Sequence, residues 1–529
     1  MPPYNCYNGW LPSNPAVYNA FVDDLFKNAR NCRDDHKAQS KPGTTTGPDA
    51  TSALGAGHKE PVQKFGEAIK KNPLMVKLFN NIFKQASQSP DPDRQIQSFS
   101  NLLYLLDGIV DKPPKFQAPN PELESAPAEP IGVPMYLLFD ILSNTAAAYD
   151  LFRMEEFNKA LKNLLNSWGK YLQSADSAST LTTDDDGWFG KAGIEILQSA
   201  GRGFFDQTYV VPDPKAKHKG FTSWDHFFTR EVQYNARPLQ KSYRWKHRDF
   251  PVDMTRTIFN ACESTVERWR SRVKAHDRFW LKGMPYSLYD MFNNENGVEK
   301  EIKEEAEKEA KGEAEKEGIT DPEEIAKKIA EKIAAASDRI LTARADAQEA
   351  AENAAKLFVG GTVYQAFLSP QDYHRWHSPI DGTIKAAYRV PGTYYAVLPD
   401  EGWFDDEIEA SGALIRSQPW LTVAATRAVF IIEGSKHIGS VAFIAIGMCE
   451  VSTCELVREN GQPIKVGDEI KAGEQLGMFH FGGSSHAVVF NPGAKVQLLT
   501  PEAVEGEEGV VTKGRHIKVR RALGISLAE

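Results

Sequence analysis

Apolar positions in the first third of the chain recur every three or four residues, the spacing of one helix face. The pattern predicts helices within residues 1–37, 61–106 and 135–172. Segments 38–58 and 112–134, rich in Pro, Gly and small polar residues, separate them. We therefore predict an N-terminal helical domain over residues 1–210. Within it, Asp184, Asp185 and Asp186 precede Gly187, and we expect a solvated turn there rather than a binding site.

The pattern changes after about residue 221, where short β-branched and aromatic runs predict strands. These runs are Thr257–Phe259, Thr265–Trp269, Tyr364–Leu368, Thr383–Val390, Leu421–Ile432 and Ser440–Met448. Glycine turns around Gly467 and Gly473 then predict short strands of a compact β structure. The predicted fold class is α+β, with the helical domain followed by a β-rich domain over residues 211–529.

Residues 297–357 interrupt the β-rich domain with a stretch dominated by Glu, Lys and Ala. Asp321 followed by Pro322 is a typical helix start, because the side chain caps the helix and proline suits its first turn. We predict an inserted, charged helical hairpin that projects from the domain or binds a partner.

Composition and charge exclude several classes of protein. The 62 basic and 71 acidic residues leave a net charge of −9, which argues against nucleic-acid binding. No run approaches the roughly 18 apolar residues of a membrane span, so we predict no stable membrane insertion. The start of the chain lacks the pattern of a signal peptide. Five scattered cysteines fit neither a disulfide framework nor a zinc site, and we predict a cytoplasmic protein without a metal.

The segment 479–490, FHFGGSSHAVVF, places two glycines and two serines inside an apolar run. Gly483 has no Cβ to obstruct attack by the Ser484 hydroxyl on the Gly483 carbonyl carbon. The resulting ester could break by β-elimination and leave a pyruvoyl group made from Ser484. The alternative is an ordinary Gly/Ser turn.

A second segment, FLSPQDYHRWHSPIDG at residues 367–382, contains His374 and His377 between two Ser-Pro pairs. The two histidines lie one helical turn apart or on opposite faces of a strand. Imidazoles held by rigid flanks suit proton transfer near neutral pH.

Together the two segments closely resemble the phosphatidylserine decarboxylase family of self-cleaving pyruvoyl enzymes. The resemblance extends over roughly residues 221–511 and includes FTSWDHFFTREV, LKGMPYSLYDMF, LFVGGTVYQAFLSP and VPGTYYAV. The N-terminal blocks NGWLPS, PMYLLFDILSNTAAAYDLF and DDDGWFG are similar to the fungal branch that decarboxylates free amino acids such as tryptophan.

The resemblance implies a covalent pyruvoyl cofactor formed at Ser484 by cleavage after Gly483. It gives His377 the role of base in cleavage and His374 a role in the later decarboxylation. The mature protein would then be two associated chains, residues 1–483 and 484–529. Backbone amides at residues 482–486 are the natural donors to the oxyanion.

An acid is expected to orient His377. The family has an aspartate in a PADG block, and the matching segment NACES places Glu263 there, which departs from the family pattern. Asp381 and Asp372 are alternatives.

The expected substrate is a free L-amino acid, with an aromatic one and tryptophan favoured. A phosphatidylserine decarboxylase is the alternative, and a non-enzymatic relative that has lost cleavage is a third. Aromatic residues that could line the substrate pocket or belong to the core are Phe279, Trp280, Tyr286, Tyr394 and Tyr395.

Overall fold

A computed structural model describes residues 11–39, 57–86, 88, 91–121, 126–245, 248–276, 286–398, 417–450, 453–499 and 515–529. Most of the predicted linker 38–58 lies outside these residues. The helices are α1 (Pro15–Gln39), α2 (Glu60–Lys70), α3 (Pro73–Gln85), α4 (Phe99–Asp107), α5 (Pro134–Ser143), α6 (Ala146–Leu151), α7 (Glu155–Leu172), α8 (Lys191–Gln198), α9 (Phe205–Thr208), α10 (Trp224–Phe228), α11 (Leu288–Phe292), α12 (Glu295–Lys316), α13 (Pro322–Ala335), α14 (Ser337–Phe358) and α15 (Gln418–Ala424).

The strands are β1 (Lys115–Gln117), β2 (Glu129–Ile131), β3 (Ser242–Trp245), β4 (Arg248–Pro251), β5 (Thr257–Phe259), β6 (Ser264–Ser271), β7 (Thr362–Leu368), β8 (Arg375–His377), β9 (Gly382–Val390), β10 (Thr426–Glu433), β11 (Ser440–Cys449), β12 (Cys454–Glu455), β13 (Glu469–Ile470), β14 (Gln475–Phe479), β15 (Gly483–Phe490), β16 (Val496–Leu498), β17 (His516–Ile517) and β18 (Ala522–Ser526).

This distribution confirms the α+β class, with helices early in the chain and strands late. The division at residue 210 stays a prediction. One predicted strand is partly wrong: Leu421–Ala424 belongs to α15, which has proline in its first turn, and β10 begins only at Thr426. The aspartates 184–186 form an exposed turn, as predicted.

The N-terminal helices bury their periodic apolar faces against one another. Val62, Phe65 and Ile69 of α2 are buried, and α7 buries Leu161 and Leu164 among others. Helix α3 begins where Asn72 accepts hydrogen bonds from two amides of its first turn, which satisfies donors that have no partner within the helix.

An eight-stranded antiparallel sheet in the order β13-β9-β10-β11-β15-β7-β6-β17 organises the second part of the chain. Alternate side chains enter two different cores because successive residues of a strand face opposite ways. Val363, Ile444 and Val489 join the core shared with the helices. Tyr364 and its neighbours on the other face join a second core around Trp376.

The charged insertion is helical, as predicted, and consists of the three helices α12, α13 and α14. Helix α12 buries small side chains, Ala306, Ala310 and Ala314, so its partners can approach closely. Ion pairs such as Arg339 with Glu305 link the outer surfaces.

In the ranges that the structure describes, no helix combines the length and the apolar character needed to span a membrane.

Candidate active site

Strand β15 carries the Gly483–Ser484 bond into the middle of the large sheet. It pairs with β11 on one side and β7 on the other, and all of its residues are buried. Ser484 lies opposite Gly447 and Leu368. The Gly483–Ser484 bond therefore lies in the interior of the protein, where water is excluded.

The backbone that leads into this bond is irregular. Gly482 has a φ of +141°, a conformation that residues with a Cβ rarely adopt. On the neighbouring strand the register shifts between Gly447 and Cys449, and Cys449 lies opposite Gly483. The next residue, Glu450, is also left-handed, with a φ of +61°. Such conformations cost energy and are often found at functional sites.

The hydroxyls of Ser484 and Ser485 are fully buried and have no hydrogen-bond partner among the described residues. Buried hydroxyls in folded proteins are nearly always bonded, so two adjacent unpartnered ones require an explanation. A hydroxyl that is not engaged elsewhere is available to attack the carbonyl beside it, and this arrangement fits the residue from which a pyruvoyl group would form.

His374 is brought towards the cleavage segment through aromatic contacts. Its ring stacks on Phe228 at a centroid distance of 3.9 Å, and Phe228 contacts Phe481, which precedes the two glycines. Neither ring nitrogen has a hydrogen-bond partner within the described ranges. Burial lowers the pKa of His374 to about 3, so the imidazole is neutral at physiological pH.

His377 ends β8 with both ring nitrogens engaged. Nδ1 lies 2.8 Å from the Gly473 carbonyl oxygen, and Nε2 lies 2.9 Å from the Tyr373 hydroxyl. The Gly473 carbonyl, which can only accept, lies closer to Nδ1 than the Arg520 guanidinium at 3.3 Å, so we assign the proton to Nδ1 and the basic lone pair to Nε2. Burial, with the nearby Arg520 guanidinium, lowers the pKa of His377 to about 3.

The carboxylate predicted to orient His377 is paired elsewhere. Glu263 is fully buried and accepts three hydrogen bonds from Arg237, the shortest of 2.6 Å, and a fourth from the Val519 amide. The predicted contact between Glu263 and His377 is therefore replaced by the ion pair with Arg237. The Gly473 carbonyl takes the orienting position on His377.

The two alternative aspartates do not contact His377 either. Asp372 is buried and accepts from Arg202 at 2.7 Å, from His516 at 2.9 Å and from the Ser369 hydroxyl. Although burial favours the neutral form, Arg202 and His516 hold the pKa of Asp372 well below its usual range. Asp381 accepts the amide of Ala472 at a turn.

The sequence analysis assigned no role to the side chains of His486 and Tyr373 or to Gly473. His486 is two residues after Ser484 and so shares its face of β15. Its Nε2 lies 3.0 Å from the Ser264 hydroxyl. Tyr373 lies in the segment that contains the two histidines, and Gly473 lies at a predicted glycine turn. No local sequence pattern relates either residue to the site.

Of the aromatic residues proposed for a substrate pocket, those that the structure describes belong to the core. Tyr286 donates to Gln365, while Tyr394 and Tyr395 pack with the helices. Phe279 and Trp280 lie outside the described residues.

Two family models match the chain, over residues 59–197 and 320–519, and both are described as phosphatidylserine decarboxylase. The decarboxylase iboD of Amanita muscaria (strain Koide BX008) is 41% identical over 425 residues, 79% of this chain and 98% of that protein. L-tryptophan decarboxylase of Psilocybe cyanescens is 28% identical over 512 residues, 94% of this chain and 91% of that protein. Phosphatidylserine decarboxylase proenzyme 2 of Oryza sativa subsp. japonica is 32% identical over 334 residues, 63% of this chain and 37% of that protein.

Proposed function

Because the chain belongs to the phosphatidylserine decarboxylase family and is thus a carboxy-lyase, we propose that it cleaves itself and converts a free L-amino acid to its amine and CO2. The observation that carries the proposal is the buried, unpartnered hydroxyl of Ser484 directly after Gly483 in the central strand. We propose that cleavage there yields the pyruvoyl group.

Cleavage requires two changes at this bond. Ser484 Oγ attacks the Gly483 carbonyl carbon and the C–N bond breaks, which leaves an ester and a free amine on residue 484. A base then removes the α-proton of residue 484 and the Gly483 carboxylate departs. The remaining enamine takes up a proton at Cβ and becomes an imine; water then replaces the nitrogen, ammonia is released, and the pyruvoyl carbonyl remains. That carbonyl supplies an electrophile for the substrate amine and an acceptor for the electrons that CO2 leaves behind.

We assign the first proton transfer to His377. Its Nδ1–H donates to Gly473, so Nε2 is the nitrogen that can accept a proton, and burial keeps the ring neutral. The Tyr373 hydroxyl donates a hydrogen bond to Nε2 and is placed to transfer a proton to or from that nitrogen. His374, neutral and buried against Phe228, is assigned to the decarboxylation step. Glu263 is assigned to support the site through Arg237.

A free amino acid is favoured as the substrate because similar proteins that span most of this chain are named L-tryptophan decarboxylase. An aromatic amino acid, tryptophan first, is the leading candidate, and a cytoplasmic location goes with it. The alternative substrate is phosphatidylserine, since other relatives are named phosphatidylserine decarboxylase proenzymes.

Intact-mass measurement and product analysis test the proposal together. The purified protein should separate under denaturing conditions into residues 1–483 and a 46-residue chain, 484–529, with a blocked N-terminus. It should release amine from a mixture of free L-amino acids and nothing from phosphatidylserine vesicles. Ser484→Ala should remain one chain and form no amine. A wild-type chain that decarboxylates without cleavage contradicts the mechanism, and phosphatidylethanolamine as sole product contradicts the substrate.

A further inference from the structure

The segment between β14 and β15 leads directly into the proposed cleavage bond. Strand β14 ends at Phe479 and β15 begins at Gly483, so residues 480–482 belong to neither strand. Gly482 and Gly483 immediately precede Ser484, and glycine loses more backbone freedom on folding than any other residue. The ladder of β15 fixes the chain after these glycines. The conformation before them must be fixed by other contacts.

His480 supplies such contacts on the N-terminal side of the glycines. Its Nδ1 lies 3.0 and 3.1 Å from the two carboxylate oxygens of Asp225 on α10, and its Nε2 lies 3.1 Å from Oε2 of Glu455 on β12. Ionised carboxylates only accept hydrogen bonds, and a neutral imidazole has a single N–H. Both ring nitrogens can donate together only when the ring carries two protons. The geometry therefore describes an imidazolium between two carboxylates, the ion cluster of His480, Asp225 and Glu455.

The surroundings of the ion cluster keep the ring charged at neutral pH. Burial disfavours the charged form, but Asp225 and Glu455 outweigh it and raise the pKa of His480 to about 9. The side chain of His480 is 22% exposed, and that of Asp225 is 12% exposed. Further titratable residues line the cavity that His480 borders, namely Lys64 of α2, Lys170 of α7 and Glu450.

Helix α10 links the ion cluster to the proposed active site. Besides Asp225 it carries Trp224 and Phe228, whose rings contact Phe481 at centroid distances of 4.6 and 5.4 Å. Phe228 also stacks on His374 at 3.9 Å. One short helix thus holds two consecutive residues of the segment before the cleavage bond and packs against a histidine of the site.

We infer that His480 is a positioning residue for self-cleavage, whose ion pairs with Asp225 and Glu455 hold the segment before Gly483 in the reactive conformation. The inference rests on the proposed function and adds what fixes the geometry of its first step. The ring itself exchanges no proton in that step. Attack by Ser484 Oγ requires the Gly483 carbonyl to be held beside it, and a displacement of about 1 Å can slow a reaction about 100-fold.

The first test compares His480→Gln with His480→Lys in precursor made by a short cell-free translation. Glutamine carries no charge to pair with the two carboxylates, whereas lysine keeps the charge and has three donors. We expect cleavage, followed by intact mass, to be slower by about tenfold or more in His480→Gln and within about threefold of the wild type in His480→Lys. His276→Gln, at an exposed histidine, should match the wild type.

The second test is the rate of cleavage between about pH 7 and 10, in the range where circular dichroism shows a folded chain. The ion cluster is complete below the pKa of His480, about 9, and is lost as the pH rises through it, so the wild-type rate should fall there. His377, with a pKa of about 3, keeps its charge state throughout. The fall should be absent in His480→Gln. It should move to higher pH in His480→Lys, because the usual pKa of lysine is about 10.4.

These measurements can overturn the inference in three ways. Cleavage of His480→Gln at the wild-type rate, or a wild-type rate that stays constant through about pH 10, contradicts the positioning role. A folded His480→Lys that is as slow as His480→Gln contradicts the role of the charge. The wild-type pH profile decides the matter if His480→Gln does not fold. Absence of cleavage in the wild type at every pH would instead reject the proposed function.

Discussion

At the scale of single residues, the site contains residues assigned to proton transfer and residues that keep them in position. His377 has a defined tautomer because a carbonyl faces Nδ1, whereas a carboxylate would have been the more familiar partner. Glu263 instead forms an ion pair with the buried guanidinium of Arg237. The two residues are therefore expected to respond differently to substitution.

His377→Ala removes the proposed proton acceptor for Ser484. We expect cleavage slower by about 100-fold or more, since general bases contribute roughly that much. The fraction cleaved over time, measured by intact mass, checks this result. His276→Ala, at an exposed histidine, should cleave at the wild-type rate. Normal cleavage by His377→Ala would remove this histidine from the mechanism.

Glu263→Gln breaks a fully buried ion pair and leaves the Arg237 charge without its partner. The expected loss is about 3–5 kcal/mol in the free energy of unfolding. Urea unfolding in the uncleaved Ser484→Ala background measures it on a single chain. The double variant Glu263→Gln, Arg237→Met should recover part of the loss, because no buried charge then remains unpaired. A loss below about 1 kcal/mol contradicts the structural role.

At the scale of elements, the strands of the proposed short chain pair with strands of the long chain. Its strand β15 lies between β11 and β7, while β17 pairs with β6 and β18 pairs with β5. Cleavage before Ser484 would break one peptide bond but leave these ladders in place. The two products should therefore elute together under native conditions.

The inserted helices depend on close approach at small residues. Ala310→Leu places a larger side chain at a fully buried position of α12, and overpacking of this kind typically costs about 1–3 kcal/mol. Hydrogen exchange of peptides from residues 295–358 should become faster. Ala350→Leu, on the exposed side of α14, should leave exchange unchanged. Equal effects of both substitutions would show that α12 is not packed as described.

At the scale of the whole molecule, buried ionisable groups make stability depend on pH. Burial lowers the pKa of His374, His377 and His486 to about 3 each. The unfolded chain takes up these protons below about pH 6.5, whereas the folded protein does not. Stability therefore falls as the pH decreases from 6.5. Glu450, with its pKa near 8, acts in the opposite direction over the same range.

The net difference is about two protons, so the free energy of unfolding should fall by roughly 3 kcal/mol per pH unit between about pH 6 and 5. Burial disfavours the charged form of His480, but Asp225 and Glu455 outweigh it and raise its pKa to about 9. The stability that the protonated His480 contributes is lost as the pH rises towards 9. Unfolding of Ser484→Ala should thus show maximal stability near pH 6.5.

His486→Gln should reduce the acid slope by about one proton, because it removes one of the three titrating groups. A stability that is flat between pH 5 and 6.5 in the parent variant contradicts this account.

The sequence by itself determined the features that depend on neighbouring residues. Helical spacing, β-branched runs and the capped start at Asp321 report local preferences, so the α+β class and most elements could be predicted. The Gly483–Ser484 bond was also readable, because both reacting atoms belong to adjacent residues.

Only the tertiary structure decided which distant residues meet. Glu450 and Tyr136 are 314 positions apart, and His377 and Gly473 are 96 apart, so no local pattern relates them. The preference of Glu263 for Arg237 over His377 depends on burial and geometry, and both arise only when the chain is packed. The helix at Leu421–Ala424 likewise shows packing overriding a β-like composition.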